Sequence, residues 1–426
     1  MSGRTWRGRL SALVLAVGMA ASGCTAAGDR SPGPTSNSSP STSAASAASA
    51  SSAAQTVVDE LVRAARAGDR TAFAAMISSR DPSFADRARL LYGNLSALPL
   101  DRLQLRLRGA PQPLTASRQQ LLGVNAWRQQ ATVSWRLTGE SAAAEQAVWL
   151  TFASDRGQVL LAGTLDEPAG TTEPEPIWWT GPVDAVQDGR LTVLVGSGQP
   201  GDRWLERTRD AVREVRRRLR TGVARTWTGA AVVEVPASRA DFESVVGAAP
   251  GSYADVAAVT LAEGSTSSAV LRVVVNPDVT RTLTEVGVAT VLTHELVHRA
   301  TRSPDSPAPT WAVEGLADYV AFTAHPAAAV GSQKLLLERV RQHGAPRALP
   351  ADDRFGADRA DLDLTYAEAW SACRYVATTW SAAGLERLYT ALDDGASLDT
   401  AARDELGVSA SALTTGWRRW LQRQAP

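Results

Sequence analysis

The five residues HELVH, at positions 294–298, constrain the fold of this chain more than any other segment. The chain holds only four histidines among 426 residues, and a His-Glu-x-x-His pattern would arise by chance in such a chain roughly 0.002 times. Apolar residues recur around it with a helical period, and helix residues four apart share one face. His294 and His298 are therefore expected to face one point, with Glu295 beside them. The alternative is a pair of surface histidines next to an ion-pairing glutamate.

A second helical segment supplies the group that a metal site would still need. Glu314 lies in PTWAVEGLADYVAF, at the start of a helix that follows two prolines. Two imidazoles and one carboxylate suit zinc, which in catalytic sites keeps its fourth position for water. Asp318 follows one turn later on the same face, where it can accept the far N–H of a ligating imidazole. The small residues Gly315 and Ala317 predict a close approach between this helix and a neighbour.

HELVH followed by WAVEGLADY resembles the gluzincin group of zinc metallopeptidases, the thermolysin-like and aminopeptidase-like clan. The resemblance implies one zinc ion held by His294, His298 and Glu314. It also implies that Glu295 is the general base and that Asp318 supports a ligating imidazole. Zinc makes hydroxide available at neutral pH, and the base returns its proton to the leaving amine.

The resemblance also implies a donor for the developing oxyanion, which in this clan is often a downstream tyrosine or histidine. Tyr366, in LTYAEAW, is the candidate, with His343 and Tyr375 as alternatives. The strand AVLRVVVNP precedes the motif helix, where the clan places an edge strand that pairs with extended peptide. The Gly-x-Met-Glu-Asn signature of aminopeptidases is missing from the sequence, which favours an endopeptidase.

The N-terminus resembles the export signal of a bacterial lipoprotein. Three arginines precede a short apolar run that ends in ASGC, which is similar to a lipobox with Cys24 as the acylated residue. Ala stands at position 21, where Leu is commoner, so cleavage by an ordinary signal peptidase is the alternative. The Ser-, Ala- and Pro-rich segment that follows is too polar to bury a core and predicts a flexible tether. We therefore expect a lipid-anchored protein on the extracytoplasmic face of the cell membrane, with secretion as the alternative.

The rest of the chain predicts two α+β parts. Three helical segments are followed by runs of alternating apolar residues, which indicate half-buried strands. This order resembles the cone-like nuclear transport factor fold. Next comes a Pro-rich boundary, followed by four further strands with a long Arg-rich helix among them and then by a mostly helical end. Thr282 with Glu285 resembles a capping box for the motif helix. The predicted organisation is signal peptide 1–24, disordered tether 25–54, accessory domain 55–165, linker 166–180 and zinc metallopeptidase domain 181–426.

Charge does not point to nucleic acid, because 44 basic residues balance 44 acidic ones. Cys373, the only cysteine besides Cys24, lies in a helical segment and is expected to be a small buried hydrophobe. The predicted function is a membrane-tethered zinc metallopeptidase with a peptide or protein substrate. Two alternatives are a non-catalytic lipoprotein that uses a peptidase-like fold as a binding scaffold, and a zinc hydrolase of a non-peptide amide.

Overall fold

A computed structural model describes residues 42–168, 173–263, 270–356 and 359–425. The predicted signal peptide, with Cys24, lies outside the described residues. None of the helices in these ranges combines the length and apolar character needed to cross a bilayer.

The first half of the chain folds into helices that pack on an antiparallel sheet, as the sequence predicts. Gly68, in a left-handed conformation, and the N-cap Asp69 separate the first two helices. The four strands follow the sheet order β1-β2-β3-β4, and each antiparallel pair is formed by neighbours in the chain. The likeness to the nuclear transport factor fold stays a prediction. The elements are α1 Thr42–Ala67, α2 Arg70–Ala75, α3 Pro82–Ala97, β1 Leu100–Gln112, α4 Ala116–Leu122, β2 Ala126–Leu137, β3 Ala144–Asp155 and β4 Gln158–Gly163.

Helix α1 begins at Thr42, within the range 25–54 that the sequence analysis assigns to a disordered tether. Ala54 is fully buried in the core, and Ser51 donates a hydrogen bond to Gln129 of β2. The prediction is wrong for residues 42–54 because alanine has the highest helix propensity, and the sheet gives this alanine-rich segment a surface to pack on.

The second half begins with a mixed five-stranded sheet whose order is β5-β6-β7-β9-β8. Strands β6, β7 and β9 are parallel, while β5 and β8 run antiparallel to their neighbours. The sequence analysis misses β5 and expects AVLRVVVNP, which is β9, at the sheet edge. That expectation is wrong, because β8 pairs antiparallel with β9 and covers its outer side. The elements are α5 Ile177–Thr180, β5 Val183–Asp188, β6 Leu191–Gly196, α6 Gly201–Arg218, β7 Ala231–Val235, α7 Arg239–Val245, β8 Ala258–Glu263 and β9 Val270–Val275.

The chain is helical from Pro277 to its end, so the α+β class predicted from the sequence is confirmed. The motif helix starts two residues later than expected: Thr284 is its N-cap and accepts a hydrogen bond from the Gly287 N–H. Thr282 instead donates to the carbonyl of Val279. The helices are α8 Pro277–Thr280, α9 Glu285–Thr301, α10 Thr310–Ala324, α11 Ala329–His343, α12 Leu362–Trp380, α13 Ala382–Asp393, α14 Leu398–Leu406 and α15 Ala410–Gln424.

The mixed sheet is covered on both faces by different parts of the chain. Side chains on one face pack with α6 and α9, and they include Val193, Val233 and Val273. Alternate residues point to the other face and share a hydrophobic core with α1, α3 and the first sheet; they include Leu194, Val232, Val259 and Val274. The N-terminal part therefore serves as the second layer of the mixed sheet.

The predicted linker 166–180 is folded at both of its described ends. Asp166 accepts hydrogen bonds from Arg118 and Thr151 of the N-terminal part. Ile177, Trp178 and Trp179 of α5 are buried in the shared core. The sequence analysis does not predict this packing, which arises because the apolar side chains that follow the prolines find a surface between the two sheets.

A buried ionic network fixes the contact between the two parts. Arg272 of β9 is fully buried and forms a bidentate ion pair with Glu140, in the turn between β2 and β3. Its guanidinium also contacts Glu234 at 3.2 Å and Glu263 at 3.0 Å, and it lies 3.6 Å from the ring centroid of Trp135. Three carboxylates surround one cation, so the network carries excess negative charge unless it binds a proton.

We predict that this network makes stability fall as the pH rises. Burial, together with the charge of Glu263, raises the pKa of Glu234 to about 8. The native state therefore holds a proton that the unfolded state has lost between pH 4.5 and pH 8. The unfolding free energy should fall through this window by up to about 1.4 kcal/mol per pH unit.

Urea unfolding of the wild type and of Glu234→Gln from pH 5.5 to pH 8.5 measures this effect, with the exposed Glu206→Gln as control. The slope should flatten in Glu234→Gln and persist in the control. An equal slope in all three proteins would contradict the assignment.

Candidate metal centre

Helices α9 and α10 bring the three predicted ligands together. His294 and His298 lie one turn apart on α9, and their Nε2 atoms are 2.9 Å apart. Glu314 is in the first turns of α10, and its Oε2 lies 3.2 Å from Nε2 of His294 and 3.4 Å from Nε2 of His298. Within the described ranges, these three residues form the one group of His, Cys, Asp or Glu side chains with metal-site spacing.

Both imidazoles are held from behind by a hydrogen bond to Nδ1. Asp318, one turn after Glu314 on α10, accepts from Nδ1 of His294 at 2.8 Å. Ser303 lies 2.7 Å from Nδ1 of His298 and holds the second ring in the same way. These bonds direct the lone pair of each Nε2 toward the other ring and toward Glu314.

Ser303 is a residue that the sequence analysis misses. It reaches His298 because Arg302 ends α9 in the left-handed conformation, with φ 55°, and turns the chain back. A non-glycine residue in that conformation has no reliable sequence signal, so only the structure reveals the contact.

The donor set fits a zinc ion. Two imidazole nitrogens and one carboxylate oxygen are ordinary zinc ligands, and tetrahedral ligands bound at 2.0–2.1 Å lie about 3.3 Å from one another. The three distances in the structure, from 2.9 to 3.4 Å, are close to that separation.

The electrostatics of the cluster favour a positive charge at its centre. Burial lowers the pKa of His294, but the hydrogen bonds and charges of Asp318 and Glu314 outweigh it and raise the pKa to about 10. Burial raises the pKa of Glu314, but the charge of His298 and the hydrogen bonds of both imidazoles lower it to about 2. The carboxylates therefore stabilise a cation at the point where the two rings meet.

Glu295 lies beside the three ligands and is held by the edge strand. Its Oε2 accepts a hydrogen bond of 2.6 Å from the Thr260 hydroxyl of β8. Its Oε1 is buried and has no hydrogen-bond partner in the structure. Burial raises the pKa of Glu295, against the charges of the two imidazoles and the Thr260 bond. One oxygen is thus fixed, and the other has the capacity to accept a proton.

Tyr366 lies near the cluster, whereas the two alternative oxyanion donors, Tyr375 and His343, lie in other parts of the helical region. It is buried on α12, and burial with the charges of Glu314 and Asp318 raises its pKa well above the usual value, so its hydroxyl stays a donor. Tyr375 packs against Trp380 and Trp420. His343 is exposed at the last residue of α11.

The predicted close helix approach is present at Gly315. A Cβ atom there would lie 2.5 Å from the carbonyl oxygen of Ala369 and 2.7 Å from Sγ of Cys373, both on α12. Cys373 is buried, as expected, and forms no disulfide bond within the described residues. The glycine next to Glu314 thus lets α10 and α12 pack backbone to side chain behind the cluster.

The cluster is buried. His294 and Glu295 have no exposed surface, while His298 and Glu314 each expose 1%. Charged groups at this depth are costly unless each has a partner, and the contacts described above supply those partners.

Comparison with known proteins agrees with this geometry. A family model described as the Peptidase MA superfamily matches residues 264–423, which span β9 and all the helices after it. The resemblance to gluzincins is thereby confirmed at the superfamily level for this part of the chain. Searches of curated proteins and of solved structures gave no match.

We predict that Ser303→Ala weakens zinc binding by about tenfold or more, because His298 then loses the partner that orients its ring. Ser409→Ala, which removes the N-cap of α15 far along the chain, is the control and should bind zinc like the wild type. Competition with a chromophoric chelator measures both affinities. Unchanged affinity in Ser303→Ala would show that the hydroxyl does not orient the ring.

Proposed function

We propose that the chain is a zinc-dependent metallopeptidase that hydrolyses peptide bonds in a peptide or protein substrate. The observation that supports this most directly is the convergence of His294, His298 and Glu314 next to the unpartnered Oε1 of Glu295. Three protein ligands and an adjacent carboxylate are the minimum for metal-assisted hydrolysis.

His294, His298 and Glu314 would hold the zinc ion, which when bound would supply Lewis-acid chemistry to the attacking water and the scissile carbonyl. Glu295 accepts the proton of the attacking water through Oε1 and donates it to the leaving amine. The Thr260 hydroxyl keeps the carboxylate of Glu295 in place during both transfers. The Tyr366 hydroxyl, which stays protonated, donates to the developing oxyanion.

We further propose that the substrate binds as an extended chain and is cut internally. Strand β8 ends the sheet and carries Thr260, so peptide paired with its outer edge would pass Glu295. The missing Gly-x-Met-Glu-Asn signature supports an endopeptidase. The lipobox-like segment at Cys24 supports attachment to the extracytoplasmic face of the cell membrane through a lipid anchor, and the balanced charge supports a partner other than nucleic acid.

The burial of the cluster supports a second candidate, a metal-bearing scaffold without catalysis. A scissile carbonyl has to reach groups that expose at most 1% of their surface. If peptide has no path to them, the same ligands would bind metal and leave the fold to act as a binding surface. A zinc hydrolase of a non-peptide amide would use the same residues. Cleavage assays separate these possibilities.

We predict that His294→Ala loses stoichiometric zinc and that Glu295→Gln keeps zinc but loses cleavage by at least about a thousandfold, because the ligands survive and the base does not. Elemental analysis measures the metal, and digestion of a broad peptide library with product sequencing measures cleavage. Wild-type protein with one zinc and no cleavage would favour the scaffold. Protein without zinc in any preparation would contradict both candidates.

We predict that Thr260→Val lowers kcat by about tenfold or more with little change in KM, since Glu295 loses its orienting bond. Thr260→Ser keeps the hydroxyl and should recover most of the rate. Both variants should retain zinc. The role assigned to Thr260 fails if the valine variant turns over a library-derived peptide as fast as the serine variant does.

A further inference from the structure

A large cavity opens between the two parts of the chain, at the end of the motif helix. Its volume is about 880 Å³. The turn 138–142 lines it from the N-terminal part, the first residues of β6, β7 and β9 line it from the sheet, and residues 299–302 line it from the last turn of α9. None of the proposed metal ligands contributes to its described lining, so it is a separate space from the metal centre.

The acidic side chains of the cavity wall are already engaged. Glu140 accepts hydrogen bonds from the guanidinium of Arg272 and from the backbone N–H of Leu137, and Asp305 pairs with Arg302 at 2.8 Å. The carboxylate of Asp393 is engaged in a side-chain hydrogen bond with Ser306. The wall therefore offers little free negative charge to any basic group that faces the cavity.

Arg299 is the basic group of the wall that combines partial burial with the lack of an ion pair among the described residues. Arg190, which also lines the cavity, is exposed to solvent. The side chain of Arg299 is half-buried in the wall, and its Nε has neither solvent contact nor a hydrogen-bond partner. Within the described residues its guanidinium forms no ion pair. A guanidinium presents several N–H groups in a planar fork that matches a carboxylate, and leaving its Nε–H desolvated and unpaired is costly. An anionic ligand in the cavity would satisfy it.

The position of Arg299 on α9 places the cavity close to the proposed site of hydrolysis. Arg299 follows His298 directly and lies one turn after Glu295 on α9. One helical turn rises about 5.4 Å, and an extended peptide advances about 3.3 Å per residue. A group bound by Arg299 therefore belongs to a residue roughly two positions from the bond near Glu295.

We propose that this cavity binds a carboxylate of the peptide ligand, carried by an acidic side chain or by a free C-terminus, through the guanidinium of Arg299. The identification of the ligand as a peptide rests on the proposed function. The preference for an anionic ligand rests on the position of Arg299 in the cavity wall. Trp227 in the same wall offers an aromatic surface for the neighbouring part of the ligand.

Binding measured without cleavage tests this proposal. Zinc-loaded full-length protein in the Glu295→Gln background is titrated by calorimetry with three acetylated probes: Ala-Ala-Ala-Ala as free acid, the same peptide as C-terminal amide, and Ala-Ala-Asp-Ala as amide. One acidic probe should bind at least about tenfold more tightly than the neutral amide. Preference for the free acid identifies a C-terminal carboxylate, and preference for the Asp peptide identifies a side chain.

Arg299→Gln should abolish the preference, and Arg299→Lys should restore only part of it, since lysine keeps the charge but lacks the fork. Arg281→Gln, which removes an exposed arginine paired with Asp278, is the matched control and should keep the full preference. The melting temperature of each variant shows whether it is folded.

Equal affinity for all three probes, no binding of either acidic probe, or a preference that survives in Arg299→Gln would overturn the proposal. So would tighter binding of inorganic phosphate than of both peptide acids. Carboxylate binding by a protein that cuts no peptide would count against the proposed hydrolysis alone. Cleavage without a carboxylate preference would count against the cavity proposal alone.

Discussion

Ionisable groups are buried around the two imidazoles of α9, and this burial constrains how the other elements of the C-terminal half of the chain pack around that helix. An imidazole pair with three carboxylates in a buried cluster is tolerable only if each ionisable group has a partner or shares a cation. The structure places those partners on separate elements. Asp318 comes from α10, Ser303 from the turn after α9, and Thr260 from the edge strand. The packing of the sheet and the helices around α9 therefore determines which partners the ionisable side chains on one face of α9 have.

The sequence was sufficient for the parts of this site that follow helical spacing. His294 with His298, and Glu314 with Asp318, are each one turn apart, so their shared faces can be deduced from the pattern alone. Thr260 and Ser303 could not be found in this way. The first depends on the order of strands in the sheet, and the second on a left-handed Arg302, and neither has a local signal.

The α+β class was predicted correctly, but individual elements were missed for a related reason, at positions where distant surfaces decide local structure. Alternating apolar residues located most of the strands, but strand order is set by pairing across the sheet, which placed β8 outside β9. Composition predicted a tether at residues 42–54 and a linker at 166–180. A sheet surface orders the first as helix, and the shared core buries Trp178 and Trp179 of the second. Tertiary packing decided the outcome in both cases, and in the first it acted together with the helix propensity of alanine.

The shared core has a consequence for the modularity of this protein. Leu194, Val232, Val259 and Val274 lie on a sheet face that the N-terminal part covers, and Arg272 draws its bidentate partner from that same part. The second half alone, separated at the boundary, would expose this apolar sheet face to water and leave Arg272 without its bidentate partner. The two halves are therefore expected to fold and to be expressed only as one unit.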